Sequence, residues 1–216
     1  MHFELAFRNG AREDASPVMG NEREQLMDSL HGKHYQDALA GRVFSQTPTP
    51  LGLAIPIYTA TDLLAGSPVL WNPPNSGVRV ELISYQAERA SGVTAFSAIG
   101  LMARRLDAIA TGAAMTALAE VTPINGNLLI GGAASKVRSS AGTGQTTVSA
   151  GAAADFVRSM FAISPVIDTT AVDEAPKKHD FDGTVIVPPG VFVYIAGTKA
   201  SVALYAQTLV WKEIPL

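Results

Sequence analysis

From Val43 onward the chain alternates short apolar runs with clusters of Pro, Gly, Asn and Ser, and that rhythm predicts β structure. The clearest case is SPVLWNPPNSGVRVELISYQ. Residues 69–71 lead into the turn cluster Asn72-Pro73-Pro74-Asn75-Ser76-Gly77. After it Val78, Val80, Leu82 and Ser84 alternate with Arg79, Glu81, Ile83 and Tyr85, one face mostly apolar and the other mixed. The two runs read as a strand pair joined by that turn. GVTAFSAIGLMARRL is a further strand candidate, and residues 156–166 resume strand character. LGLAIPIYTA is β-like, but Pro56 demotes it to an edge strand or a bulge.

Near the end, DGTVIVPPGVFVYIAG carries Val185 and Val187 up to a Pro188-Pro189-Gly190 turn. Val191, Val193 and Ile195 then share one face of a strand, with Phe192 and Tyr194 on the other, so both of its faces should be covered. Residues 197–200 read as a hairpin loop, and residues 202–214 as a last strand lying inside a sheet.

The pattern differs at the two places where strands are not expected. Residues 1–22 are polar and read as an irregular arm, opened by a short strand over residues 3–7. Leu26, Leu30 and His34 then fall four apart, with Met27, Ala38 and Leu39 nearby, which predicts a short helix with one apolar stripe, closed by Gly41. Gly32 in its middle weakens that helix by about 1 kcal/mol. The middle, residues 107–155, is low in bulk and rich in Ala, Gly, Ser and Thr, fitting loops, short strands or a helix. The expected organisation is an N-terminal arm, 1–41, and a β domain, 42–216, with a low-complexity, loop-rich middle. Strands punctuated by Pro and Gly, without strand–helix–strand alternation, favour an antiparallel sandwich or barrel.

Composition sharpens this picture in one respect. Of 216 residues only 16% are charged while 47% are hydrophobic. That is sparse charge for a lone soluble monomer, and it has two readings. Either small residues inflate the apolar count, or part of the surface lies against other subunits. A net charge of −3 with scattered basic residues leaves no electrostatic footprint for nucleic acid. The absence of cysteine excludes disulfides, thiolate metal sites and a cysteine nucleophile. MHFELAFRNGARED shows no secretory signal pattern, and no apolar run approaches the roughly 20 residues of a membrane span, so synthesis in a cytoplasm is expected.

Candidate chemistry is thin. There is no Gly-x-x-x-x-Gly-Lys-Ser/Thr loop and no Gly-x-Ser-x-Gly elbow. GTGQTT, at 142–147, has part of a dinucleotide fingerprint but sits in low-complexity sequence and reads as a loop. His31 and His34 are spaced as two ligands on one helical face could be, yet lack a third ligand and read as polar or interface histidines. DEAPKKHDFD gathers Asp173, Glu174, His179, Asp180 and Asp182 in no known calcium or acid–base spacing and reads as a solvated connection. No catalytic, cofactor or metal residue is assigned.

The segments LHGKHYQDALAGRVFSQ, LWNPPNSGVRVELI, DFDGTVIVPPGVFVYIAG and TLVWKEIPL occur in an order that resembles a group of structural proteins of tailed, mostly short-tailed, bacteriophages. The shared features are a His-Gly-x-x-Tyr-like segment, an Asn-Pro-x-x-Ser-Gly turn, a Pro-Pro-Gly turn and a closing Trp-x-Glu strand. His34 stands where a second aromatic is common. The likeness runs from about residue 20 to the end, apart from the low-complexity middle. It implies an all-β, antiparallel jelly-roll-type β-sandwich with an extended or partly helical N-terminal arm. The implied role is a capsid cement or decoration protein on the virion surface, a homotrimer bound to the major capsid protein, without enzyme activity or cofactor. A tail or head-fibre component for host attachment is the alternative. In either role Leu26, Met27, Leu30, Tyr35 and Leu39, too few for an independent core, are the expected capsid or subunit contact.

Overall fold

The computed structural model describes residues 32–47, 68–92, 97–105, 123–126, 134–140, 155–163, 175–198 and 204–216. Two compact units divide the chain, Met1–Ala40 and Gly41–Leu216. In the first, the described residues hold one helix, α1 (Tyr35–Leu39). Sequence spacing predicts a helix continuing back through Gly32. Instead Gly32 takes a φ of +90°, a left-handed conformation incompatible with a helical turn, and α1 starts after His34. Gly41, with a φ of +70°, does follow the helix end as expected.

The second unit is built of antiparallel strands: β1 (Val43–Gln46), β2 (Val69–Asn72), β3 (Val78–Ser91), β4 (Ser97–Arg105), β5 (Ile124–Asn125), β6 (Arg138–Ser140), β7 (Asp155–Ile163), β8 (Lys177–Asp180), β9 (Ile186–Val187), β10 (Val191–Gly197) and β11 (Leu204–Pro215). They form two sheets in a sandwich-like arrangement. The first has the order β5-β1-β11-β3-β8, with β9 also on β3; the second has the order β6-β2-β10-β4-β7. β11 lies between β1 and β3, so the last strand is inside a sheet, as the sequence predicts.

Three local expectations need correction. The runs flanking Asn72–Gly77 are not a hairpin, because β2 belongs to the second sheet and β3 to the first. Likewise β10 and β11 lie in different sheets, so the two strands are not a hairpin. The polar patch read as a solvated connection is also partly strand. Its Lys177–Asp180 segment pairs with residues 84–87 of β3, because an edge strand needs only backbone groups and one sheltered face.

The core lies between the layers. Val78, Val80, Leu82, Tyr85, Ala87, Leu209 and Trp211 from the first sheet meet Leu70, Ile99, Leu101, Ile163, Val193 and Ile195 from the second. Simple alternation predicts Tyr85 on the outer face of β3. The pairing shifts between Leu82↔Trp211 and Ser84↔Val210, leaving Ile83 as an extra residue, and from there Tyr85 and Ala87 take the inner face. Tyr85 is fully buried and stacks on Phe161, with ring centroids 5.9 Å apart and planes 5° apart. In β10 both faces are covered, as expected: Val193 and Ile195 join the core, while Phe192 and Tyr194 are buried and stacked on each other. Trp71, paired in register with Phe192, is also buried and carries the Arg138 guanidinium 5.2 Å from its ring centre.

Candidate functional site

The segments that single this chain out in sequence converge on the corners where strands change layers. Asn72 ends β2 and is completely buried. Its Nδ2 donates to the carbonyls of Val78, at 2.9 Å, and Val187, at 3.0 Å. Its own carbonyl accepts from the Gly190 amide at 2.8 Å. One side chain therefore ties the end of β2 to the start of β3 and to the residue before Pro188. The turn beyond it is closed by Ser76, whose hydroxyl donates to Val78 O, and by Gly77 at a φ of +70°. Gly190, at +84°, lets the Pro-Pro-Gly turn fold back on Asn72. The two Pro-containing turns are one hydrogen-bonded corner.

The Trp-x-Glu ending places two buried residues on one face of β11, since side chains two apart in a strand point the same way. Trp211 is fully buried and stacks on Phe44 with centroids 6.2 Å apart. Glu213 is 5% exposed, and its carboxylate accepts from the Ser135 hydroxyl and from the Lys136 amide at 3.0 Å. Ser135 also bonds Val137, a core residue next to β6 of the second sheet. Glu213 thus clasps the segment entering one layer from the central strand of the other. Between Glu213 and Trp211, Lys212 points to the opposite face and pairs with its neighbour Glu81 at 3.1 Å.

DFDG makes a third corner. Phe181 is fully buried, and Asp182 and Gly183 both have positive φ, at 50° and 72°. The Thr184 amide donates to Phe181 O at 2.9 Å. The Thr184 hydroxyl also donates to that carbonyl and accepts from Arg158 Nη1 on β7 at 2.7 Å, joining the two layers at this edge. His179 lies edge-on to Phe181, with centroids 4.9 Å apart. Burial, then the nearby Arg158 charge, lowers the His179 pKa, while Asp180 and Asp182 pull against them.

One polar pair sits inside the core: the Tyr85 hydroxyl donates to Gln207 Oε1 at 2.7 Å. Burial, with Tyr205 alongside, raises the Tyr85 pKa well above the usual phenol value, so the group is a neutral donor rather than an acid.

Among the described residues no group of three His, Asp or Glu stands together as metal ligands, and no helix is long and apolar enough to cross a membrane. Of the expected contact residues, Tyr35 and Leu39 lie on α1 at 39% and 52% exposure. Leu26, Met27 and Leu30 fall outside the described residues, as do His31, GTGQTT, Asp173 and Glu174. Sequence reasoning missed Asn72 and Glu213 as anchoring residues. The only signal for them is polar residues at turn and strand positions that the flanking pattern marks as buried. Comparison with protein-family models, with curated proteins and with solved structures finds no match.

Proposed function

We propose that this chain is a bacteriophage virion structural protein, a capsid cement or decoration subunit. In this reading it binds the major capsid protein on the outer shell and strengthens contacts between capsomers. The observation that carries the reading is strand order. Setting aside the short β5, β6 and β9, the described residues hold eight strands, arranged β1-β11-β3-β8 and β2-β10-β4-β7. Numbered along the chain these are 1-8-3-6 and 2-7-4-5, the order expected of a jelly roll, an architecture shared by viral shell domains, lectins and cupins. What separates the shell reading from the other two is the use of the polar residues. Asn72, Glu213 and Thr184 are spent on holding corners rather than on a converging set open to a ligand.

Reinforcement of a shell needs no chemistry. It needs a rigid body with repeated contacts, whose modest individual affinities are multiplied by valency. The sparse charge agrees with a subunit that covers part of its surface in a closed homotrimer. Exposed Tyr35 and Leu39, with Leu26, Met27 and Leu30, form the shell-binding arm in this reading.

The test compares the full chain with one beginning at Arg42, in thermal unfolding and in binding to capsids stripped of this protein. The proposal expects unfolding to change little and binding to collapse. Full decoration by the shortened chain would move the contact to the β domain. Failure of the full chain to bind any capsid would overturn the shell role and favour the tail or head-fibre reading.

A further inference from the structure

His179 faces inward on β8, because its register partner Tyr85 is an inner-face residue and paired residues share a face. Its Nε2 is buried and has no hydrogen-bond partner. A neutral imidazole tolerates that, since one nitrogen carries no proton. An imidazolium does not, because both nitrogens become donors and the buried Nε2 has no acceptor to take its proton. The strand that bears it is four residues long, lies at the edge of its sheet among the described residues, and pairs only with residues 84–87 of β3. Short edge strands open most readily.

We propose that β8 is an acid-released edge strand: protonation of His179 expels its ring from the seam between β7 and β8 and releases the Ser84–Ala87 stretch of β3 from its pairing with β8.

The charges around the ring set the direction. Arg158, from β7 in the opposite layer, opposes a second cation, and Lys177 stands two residues away on the same face of β8. Asp180 and Asp182 attract the cation. Tyr85, the partner on β3, is held neutral by its burial and contributes no charge. The balance falls against the imidazolium, below its ordinary value of 6.5. A group that binds its proton less readily when folded leaves the native edge at full stability above about pH 6.5 and withdraws that stability as pH falls through the lowered value.

The experiment is amide hydrogen exchange on the full chain at about pH 7.5 and about pH 5, with rates normalised to those of an unstructured peptide. Protection at residues 177–180 and at their partners 84–87 should fall several-fold on acidification, while β10 and β11 hold theirs. His179→Phe, which keeps a ring against Phe181, should abolish the fall, and His179→Gln should do the same if the larger ring disturbs packing. Acidification that leaves these amides protected overturns the proposal. So does an equal fall in every strand, or a fall that persists in both variants.

Discussion

Replacing Asn72 with alanine tests whether the two Pro-containing turns are one corner. The side chain is fully buried and its Nδ2 serves two carbonyls, at 2.9 and 3.0 Å. A buried carbonyl that loses its donor costs about 1–3 kcal/mol, more than the roughly 1 kcal/mol net worth of the bond itself. Val78 O keeps the Ser76 hydroxyl at 3.1 Å, so most of the loss falls on Val187 O. The expected destabilisation is about 2–4 kcal/mol, a large share of the 5–15 kcal/mol typical of a folded domain. In urea, with a slope of about 2 kcal/mol per molar, the midpoint should drop by about 1–2 M at unchanged slope. Asn72→Asp keeps the shape but turns a carboxylate oxygen toward those carbonyls, and should cost at least as much. A loss under about 0.5 kcal/mol, the range of inert surface changes, would refute the corner, as would an aspartate tolerated as well as asparagine.

Glu213→Ala should destabilise by about 1.5–3 kcal/mol, the range for a bond to a charged group, and expose residues 134–137 to protease before global unfolding. Gly100→Ala should cost about 1–3 kcal/mol, since a Cβ there would run into the Phe156 ring and meet the backbone oxygen of Arg158 at 2.9 Å. Urea unfolding measures this, and a neutral result would mean that β4 and β7 can separate locally. Deleting residues 209–216 removes fully buried Leu209 and Trp211, each worth about 1.5–3 kcal/mol, and should abolish soluble expression. A truncated chain that melts cooperatively at the same temperature would contradict the place of β11 inside its sheet.

The strands that alternate strongly were legible in the sequence. β2, β3, β4, β7, β10 and β11 all fall on runs whose apolar spacing predicts them. Their partners were not. A turn such as Asn72–Gly77 reads as a hairpin because local residues report that the chain reverses, not whether it returns to the same layer. That choice is made by long-range bonds, here Asn72 to Val187, which are 115 residues apart. The bulge at Ile83 was hidden for a similar reason: Ile83 and Tyr85 suit either face, and the shift shows only against β11. β8 escaped notice because Lys-Lys-His-Asp has no apolar period and earns its place through backbone pairing. Of the candidate residues, Pro and Gly marked the turns correctly, whereas the anchoring roles of Asn72 and Glu213 depend on carbonyls and amides that no spacing rule locates.

The proposed role on a phage shell is tested most directly by the location and copy number of the protein in purified virions. Cryo-electron microscopy with quantitative mass spectrometry gives both. The account expects trimers distributed over the outer shell in symmetric contact with the major capsid protein, in copy numbers matching the capsomer lattice. A protein found only at one vertex or around the tail, or absent from the particle, would contradict it.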